Sequence, residues 1–147
     1  MKRLLAFLAI GGVGAAVTHR IGSRPEVDGV GSPLATCGDH LNCARISRAV
    51  PAEAEAVRRV AEAAVRSDQG LFTGRVDEVS LTAGGLRAAY KMGLFTDDLA
   101  LEVTEGADGH SVLHLRSASR LGRNDLGVNR RRVERLAADV LARLGAG

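Results

Sequence analysis

Between His114 and Arg132 stand six arginines, two serines, a histidine, an aspartate and two asparagines, the densest set of chemically capable side chains in this 147-residue chain. A guanidinium offers a planar fork of donors that suits carboxylates and phosphates, so the first chemistry these residues suggest is recognition of an anion. Asn129 reads as a helix N-cap. Arg130, Arg131 and Arg132 would then occupy the first turn of that helix. Cations at the positive end of a helix dipole cost a few tenths to about 1 kcal/mol each, so some negative charge must offset them.

That charge has two candidate sources. Residues 50–115 carry six basic groups against eleven acidic ones, whereas residues 116–147 carry eight arginines against three acids. The two halves can therefore neutralise each other, and antiparallel pairing about the loop Glu105–Gly109 brings Asp98 opposite or diagonal to Arg116 as a structural ion pair. The alternative is external: Arg116, Arg120, Asn129, Arg130 and Arg131 would bind a phosphate, a carboxylate or a lipid headgroup.

Catalysis is a third possibility, since Ser117, Ser119, His110, His114 and Asp125 are close in sequence. Strand alternation, however, puts Ser117 and Ser119 on the face opposite His114. No Gly-x-Ser-x-Gly elbow, glycine-rich phosphate loop or His-Glu-x-x-His helix occurs. No catalytic residue is assigned, and no cofactor is expected.

The chain that must position these groups has three Phe, one Tyr and no Trp, so its core rests on Leu, Val and Ala. It has no aromatic platform on which bases could stack, which argues against nucleic acid as a partner despite a formal charge of +3. Pro51 opens a helix with Glu53 and Glu55 in its first turn and Val57, Val60, Ala61, Ala64 and Val65 on one face, ending near Ser67 to Gly70. The period then changes to two. Val79, Leu81 and Ala83 run into Gly84-Gly85, a hairpin signal, and Leu86, Ala88, Tyr90 and Met92 return. Leu99, Leu101 and Val103, then Leu113 and Leu115, give two further strands. The last of these extends from Val112 to Leu121, with Leu113, Leu115 and Leu121 on one face and His114, Arg116 and Arg120 on the other. Val133, Leu136, Ala137, Val140, Leu141 and Leu144 mark a final helix, with Gly145 at its end. The expected fold is α+β: a four-stranded antiparallel meander with both helices packed on one face. Residues 44–49 would supply a fifth, edge strand.

The N-terminus reads as a targeting segment. Lys2 and Arg3 precede an uninterrupted apolar and glycine run from Leu4 to Val17. Fourteen helical residues rise about 21 Å, less than the roughly 30 Å of a bilayer core. A signal peptide is therefore favoured over a full span, with an uncleaved anchor as the alternative. The division is residues 1–19 as signal peptide or membrane anchor, 20–49 as a Gly/Pro/Ser-rich spacer, and 50–147 as the folded domain. Export or tethering places the domain outside the cytoplasm. There Cys37 and Cys43 would close a small disulfide loop. The competing readings are a Cys37, His40 and Cys43 metal site, which matches no zinc spacing, and two unpaired thiols.

The run Leu115-Arg-Ser-Ala-Ser-Arg120-Leu-Gly-Arg-Asn-Asp125-Leu-Gly-Val-Asn-Arg130-Arg-Arg-Val resembles the C-terminal signature of the bacterial and plastid family catalogued as DUF1499. Phe95-Thr-Asp-Asp98 is similar to the aromatic-then-acidic start of that family's third strand, and Asn42-Cys43 to its Pro-Asn-Cys segment, so the likeness spans residues 37–135. Leu41 stands where the family has Pro, and Ala44-Arg45 where it has Val-Ser. The resemblance implies a membrane-associated or exported α+β domain and brings no reaction, cofactor or catalytic residue with it. Taken together, the sequence points to an extracytoplasmic binding or envelope-interaction module with an anion site near its arginines. A small hydrolase acting on an anionic substrate is the alternative.

Overall fold

The computed structural model describes residues 31–145, so the apolar run at 4–17 and its reading as signal peptide or anchor lie outside the described residues. Among the described residues no helix is long and apolar enough to cross a membrane.

The elements follow in the order β1 (Cys43–Val50), α1 (Ala54–Arg66), β2 (Gln69–Gly70), β3 (Gly74–Leu81), β4 (Gly85–Met92), β5 (Phe95–Glu105), β6 (Ser111–Ser119) and α2 (Val128–Gly145). The strands form one antiparallel sheet in the order β1-β6-β5-β4-β3-β2, curved into a half-barrel. The sheet therefore has six strands rather than four or five. β1 pairs along its whole length with β6, and the two-residue β2 adds a short edge beyond β3.

α1 begins three residues after Pro51, because Glu53 is still extended and serves as its N-cap. Val57, Ala61, Ala64 and Val65 are buried as their spacing predicts, and Val60 packs against the core at its margin. The hairpin between β3 and β4 turns at Ala83-Gly84, one residue earlier than expected, with Thr82 and Gly85 closing it. Gly85 is required there, since a Cβ would meet the Leu101 carbonyl oxygen at 2.0 Å. A bulge at Asp77 puts Val76 and Val79 on the same side of β3, and Leu81 ends up exposed at the hairpin.

Both helices pack on one sheet face, where Ile46, Leu86, Leu99, Leu101, Leu113 and Leu115 meet Val57, Val133, Leu136 and Val140. The other face carries the polar alternates. Register places Arg45 and Ser47 of β1 beside Arg116 and His114 of β6, and these beside Ala100 and Glu102 of β5. The segment before β1 reaches this side, where the Leu34 carbonyl accepts a hydrogen bond from Arg45 Nη1 at 2.8 Å. The β2–β3 turn, the β4–β5 hairpin and the β6–α2 loop gather at one end of the sheet; the β3–β4 and β5–β6 hairpins lie at the other.

Candidate functional site

The arginines of the C-terminal signature separate into three environments. Helical rotation of about 100° per residue turns Arg130, Arg131 and Arg132 in different directions. Arg132 points inward and is fully buried. Its Nη2 lies 2.8 Å from Asp97 Oδ2, and its Nη1 donates at 2.8 Å to both Ser117 Oγ and Asn129 Oδ1. Nε and Nη2 donate to the Thr73 carbonyl, and the guanidinium stacks 4.4 Å from the Tyr90 ring centroid. Tyr90 in turn donates to Asp68 at 2.9 Å, and Asp68 accepts two hydrogen bonds from Arg135 Nη2. Burial, reinforced by the Asp68 carboxylate, raises the Tyr90 phenol well above its ordinary value.

Asn129 is not the N-cap. α2 starts at Val128, so Asn129 sits within the first turn, and the capping is done by Asp125. Its carboxylate accepts from the Gly127 N–H at 2.9 Å and from the Asn129 N–H at 2.8 Å. Asn129 Nδ2 donates to Asp125, to Ser119 Oγ and to the Asn42 carbonyl. The negative charge at this helix start is thus supplied from within the chain. Arg130 pairs with Glu134 at 2.9 Å, and Arg131 donates to the Leu126 carbonyl at 3.1 Å.

Asp98 pairs with Arg120, not with Arg116. It faces Ala118 across the sheet, so both arginines are diagonal neighbours, and Arg120 takes both carboxylate oxygens with Nε and Nη2 at 2.8–3.1 Å. Among the described residues Arg116 has no carboxylate partner. Its Nε is buried and has no hydrogen-bond partner, a state it shares among the described residues with Ser111 Oγ alone. Arg116 also stands directly opposite Arg45, and like charges at such a position repel. On the far side of Ala100 lies Arg87, so three arginines form one row across the polar face. Arg87 reaches Glu102 only at 3.6 Å. Beside the row is a recess of about 220 Å³ bordered by Arg87, Ala89, Asp98 and Arg120. The sequence placed Arg116 among the candidate anion ligands; Arg45 and Arg87 were legible only through the β1–β6–β5–β4 register.

A serine–histidine pair exists, but between strands. Ser47 Oγ lies 2.8 Å from His114 Nδ1, and Thr104 Oγ1 lies 2.9 Å from Nε2. Ser117 and Ser119 face the helices, away from His114. His114 is fully buried, and desolvation holds its imidazole below the usual value against the opposing pull of Glu102, with Arg45 adding to the depression. With both ring nitrogens engaged and no solvent access, this is a clamp between β1, β6 and β5.

At the loop end of the sheet, Phe72, Met92, Phe95, Leu121, Leu126 and Val128 surround a cleft of about 380 Å³ with Asp97, Ser119 and Asp125 among its polar lining. Cys37 and Cys43 are joined in a disulfide, both buried, so their sulfurs are unavailable as metal ligands. Among the described residues no group of three His, Cys, Asp or Glu side chains could hold a metal.

A family model described as "Protein of unknown function (DUF1499)" matches residues 33–140, which includes both cysteines, every strand and most of α2. The chain belongs to the DUF1499 family. No curated protein matches it. Among solved structures, this DUF1499 domain is similar to TTHA0849 from Thermus thermophilus, at 14% identity over 69% of this chain and 92% of that one, with a TM-score of 0.30. The family's C-terminal signature, as it stands here, is the segment that ties β6 to α2 through Ser117, Ser119, Asp125, Asn129 and Arg132.

Proposed function

We propose that this chain is an extracytoplasmic binding module that holds a small anion, or the anionic headgroup of a larger ligand, on the polar face of its sheet. Arg116 is the principal contact, with Arg45 and Arg87 alongside. The observation that carries this reading is the buried Arg116 Nε without an acceptor. A buried charged donor left unpaired costs roughly 1–3 kcal/mol or more, so this one calls for a partner, which a bound anion would supply. Repulsion between Arg45 and Arg116 points the same way, since an anion between them turns an unfavourable cross-strand pair into a favourable one.

The helix start does not support a second site of this kind, because Asp125 already fills it. The compartment is supported by the disulfide and by the apolar run at 4–17. Among the described residues the hydrolase alternative has the Ser47–His114 pair to draw on, and that pair is sealed from substrate. Thermal unfolding with and without millimolar phosphate and sulfate tests the proposal, since a ligand of the native state alone raises the melting temperature. A rise is expected for the natural chain and not for Arg116→Gln; no rise in either contradicts the reading.

A further inference from the structure

The core does not need the hydrophobic residues at the loop end of the sheet. Leu94 is 96% exposed at the tip of the β4–β5 hairpin, and Leu71 87% and Phe72 72% exposed in the β2–β3 turn. Leu121 and Leu126 project from the β6–α2 loop, and Leu126 holds a left-handed backbone with φ of 53°, a conformation costly for a branched side chain. Three separate loops thus bring apolar tips to one end, around the cleft of about 380 Å³. Contiguous exposed apolar surface of this kind marks an interaction site.

We propose that this end of the domain docks on an anionic lipid bilayer, with the three loop tips entering the interfacial layer and an acyl chain able to occupy the cleft. Two observations select the bilayer. The first is charge: Arg123 is exposed on the same loop as Leu121 and Leu126, and Arg131 lines the cleft, so cations stand beside the apolar tips as they do in interfacial anchors. The second is the route of the chain. Leu41 bridges Asn124, and Asn42 Nδ2 donates to the Gly122 carbonyl at 2.7 Å, so the N-terminal segment joins the domain against the β6–α2 loop. Thirteen residues separate Val17 from Gly31, enough to span roughly 40 Å when extended. A bilayer holding the apolar run at 4–17 lies within reach of this end. The inference is independent of the Arg116 site, which is on the polar face.

The chain contains no Trp, so a single introduced indole reports its own surroundings. Full-length Leu94→Trp and, at the opposite end of the sheet, full-length Leu81→Trp are reconstituted with vesicles of phosphatidylcholine and phosphatidylglycerol carrying brominated acyl chains. Both positions are exposed, so neither substitution disturbs the core. Docking predicts several-fold stronger quenching and a blue-shifted emission for Leu94→Trp, weakened by Arg123→Glu and in vesicles of phosphatidylcholine alone. Equal quenching at the two positions means the N-terminal run alone holds the protein to the vesicle and overturns the proposal. So does no quenching at either, or an emission shift that follows protein concentration without vesicles, which would assign the surface to a second copy of the chain.

Discussion

Arg132 Nη2 and Asp97 Oδ2 lie 2.8 Å apart with the arginine side chain fully buried and the aspartate 6% exposed. This contact joins the basic C-terminal stretch to the acidic middle of the chain, and it does not stand alone. Asp98 with Arg120 and Asp68 with Arg135 repeat the pattern. Three of the six arginines in the signature, Arg120, Arg130 and Arg132, are thus paired with carboxylates of the domain itself, and Arg116 is conspicuous because its buried Nε has no partner.

Removing one partner of a buried pair leaves the other charged and unsolvated. Arg132→Met is expected to cost about 3–5 kcal/mol, measured by urea unfolding, because Asp97, Ser117 and Asn129 lose a donor together. Arg132→Lys should recover little, since one ammonium cannot reach Thr73, Ser117, Asn129 and Asp97 at once.

Tyr90 is the single tyrosine, so ultraviolet titration reads it alone. Its phenol is raised by burial first and by Asp68 second, so the folded state holds the proton more tightly than the unfolded one. Stability should accordingly fall as pH rises above 10, and phenolate absorbance should appear only with alkaline unfolding. Tyr90→Phe should cost about 1 kcal/mol at neutral pH, because Asp68 keeps Arg135.

His114 behaves in the opposite sense. Its imidazole is depressed below 6.5 by burial, with Arg45 adding to the effect and Glu102 opposing it. The unfolded chain takes up the proton first as pH falls, so stability should decline below pH 6.5, before the carboxylates titrate. His114→Gln should flatten that part of a stability–pH curve; an unchanged slope would show that His114 is not its source.

The Cys37–Cys43 disulfide closes a short loop directly before β1. Unfolding with and without reductant should differ by about 2 kcal/mol, a loop-closure value for so short a ring.

Much of the fold was legible because one-sided burial writes a period into the sequence. The alternation at Leu86, Ala88 and Tyr90, and at Leu99, Leu101 and Val103, marks β4 and β5, and the stripe from Val133 to Val140 marks α2. β1 was visible only as a possible edge, because Arg45 and Ser47 are polar alternates that become buried once β6 and the preceding segment flank them. β2 is too short to carry a period. Three adjacent arginines look alike in sequence, yet Arg132 shares its helical face with Asn129, Val133 and Leu136, and that spacing distinguishes it from Arg130 and Arg131.

The helix start was misplaced by two residues for a local reason: it lies at Val128, not at Arg130. Asp125 accepts from the N–H two residues on, an Asx turn that does the capping in place of Asn129. The arginine row at Arg45, Arg116 and Arg87 could not be read at all without strand register, because its members come from three strands far apart in the chain.

The Arg116 Nε–H is the most direct witness to the proposed anion site, and proton–nitrogen correlation spectra of the arginine side chains observe it. The signal lost in Arg116→Gln is expected to move saturably as phosphate is added to the natural chain, while the Arg132 signal stays fixed behind Asp97 and Thr73. An unmoved Arg116 signal, or movement confined to Arg130 and Arg131, would contradict the account.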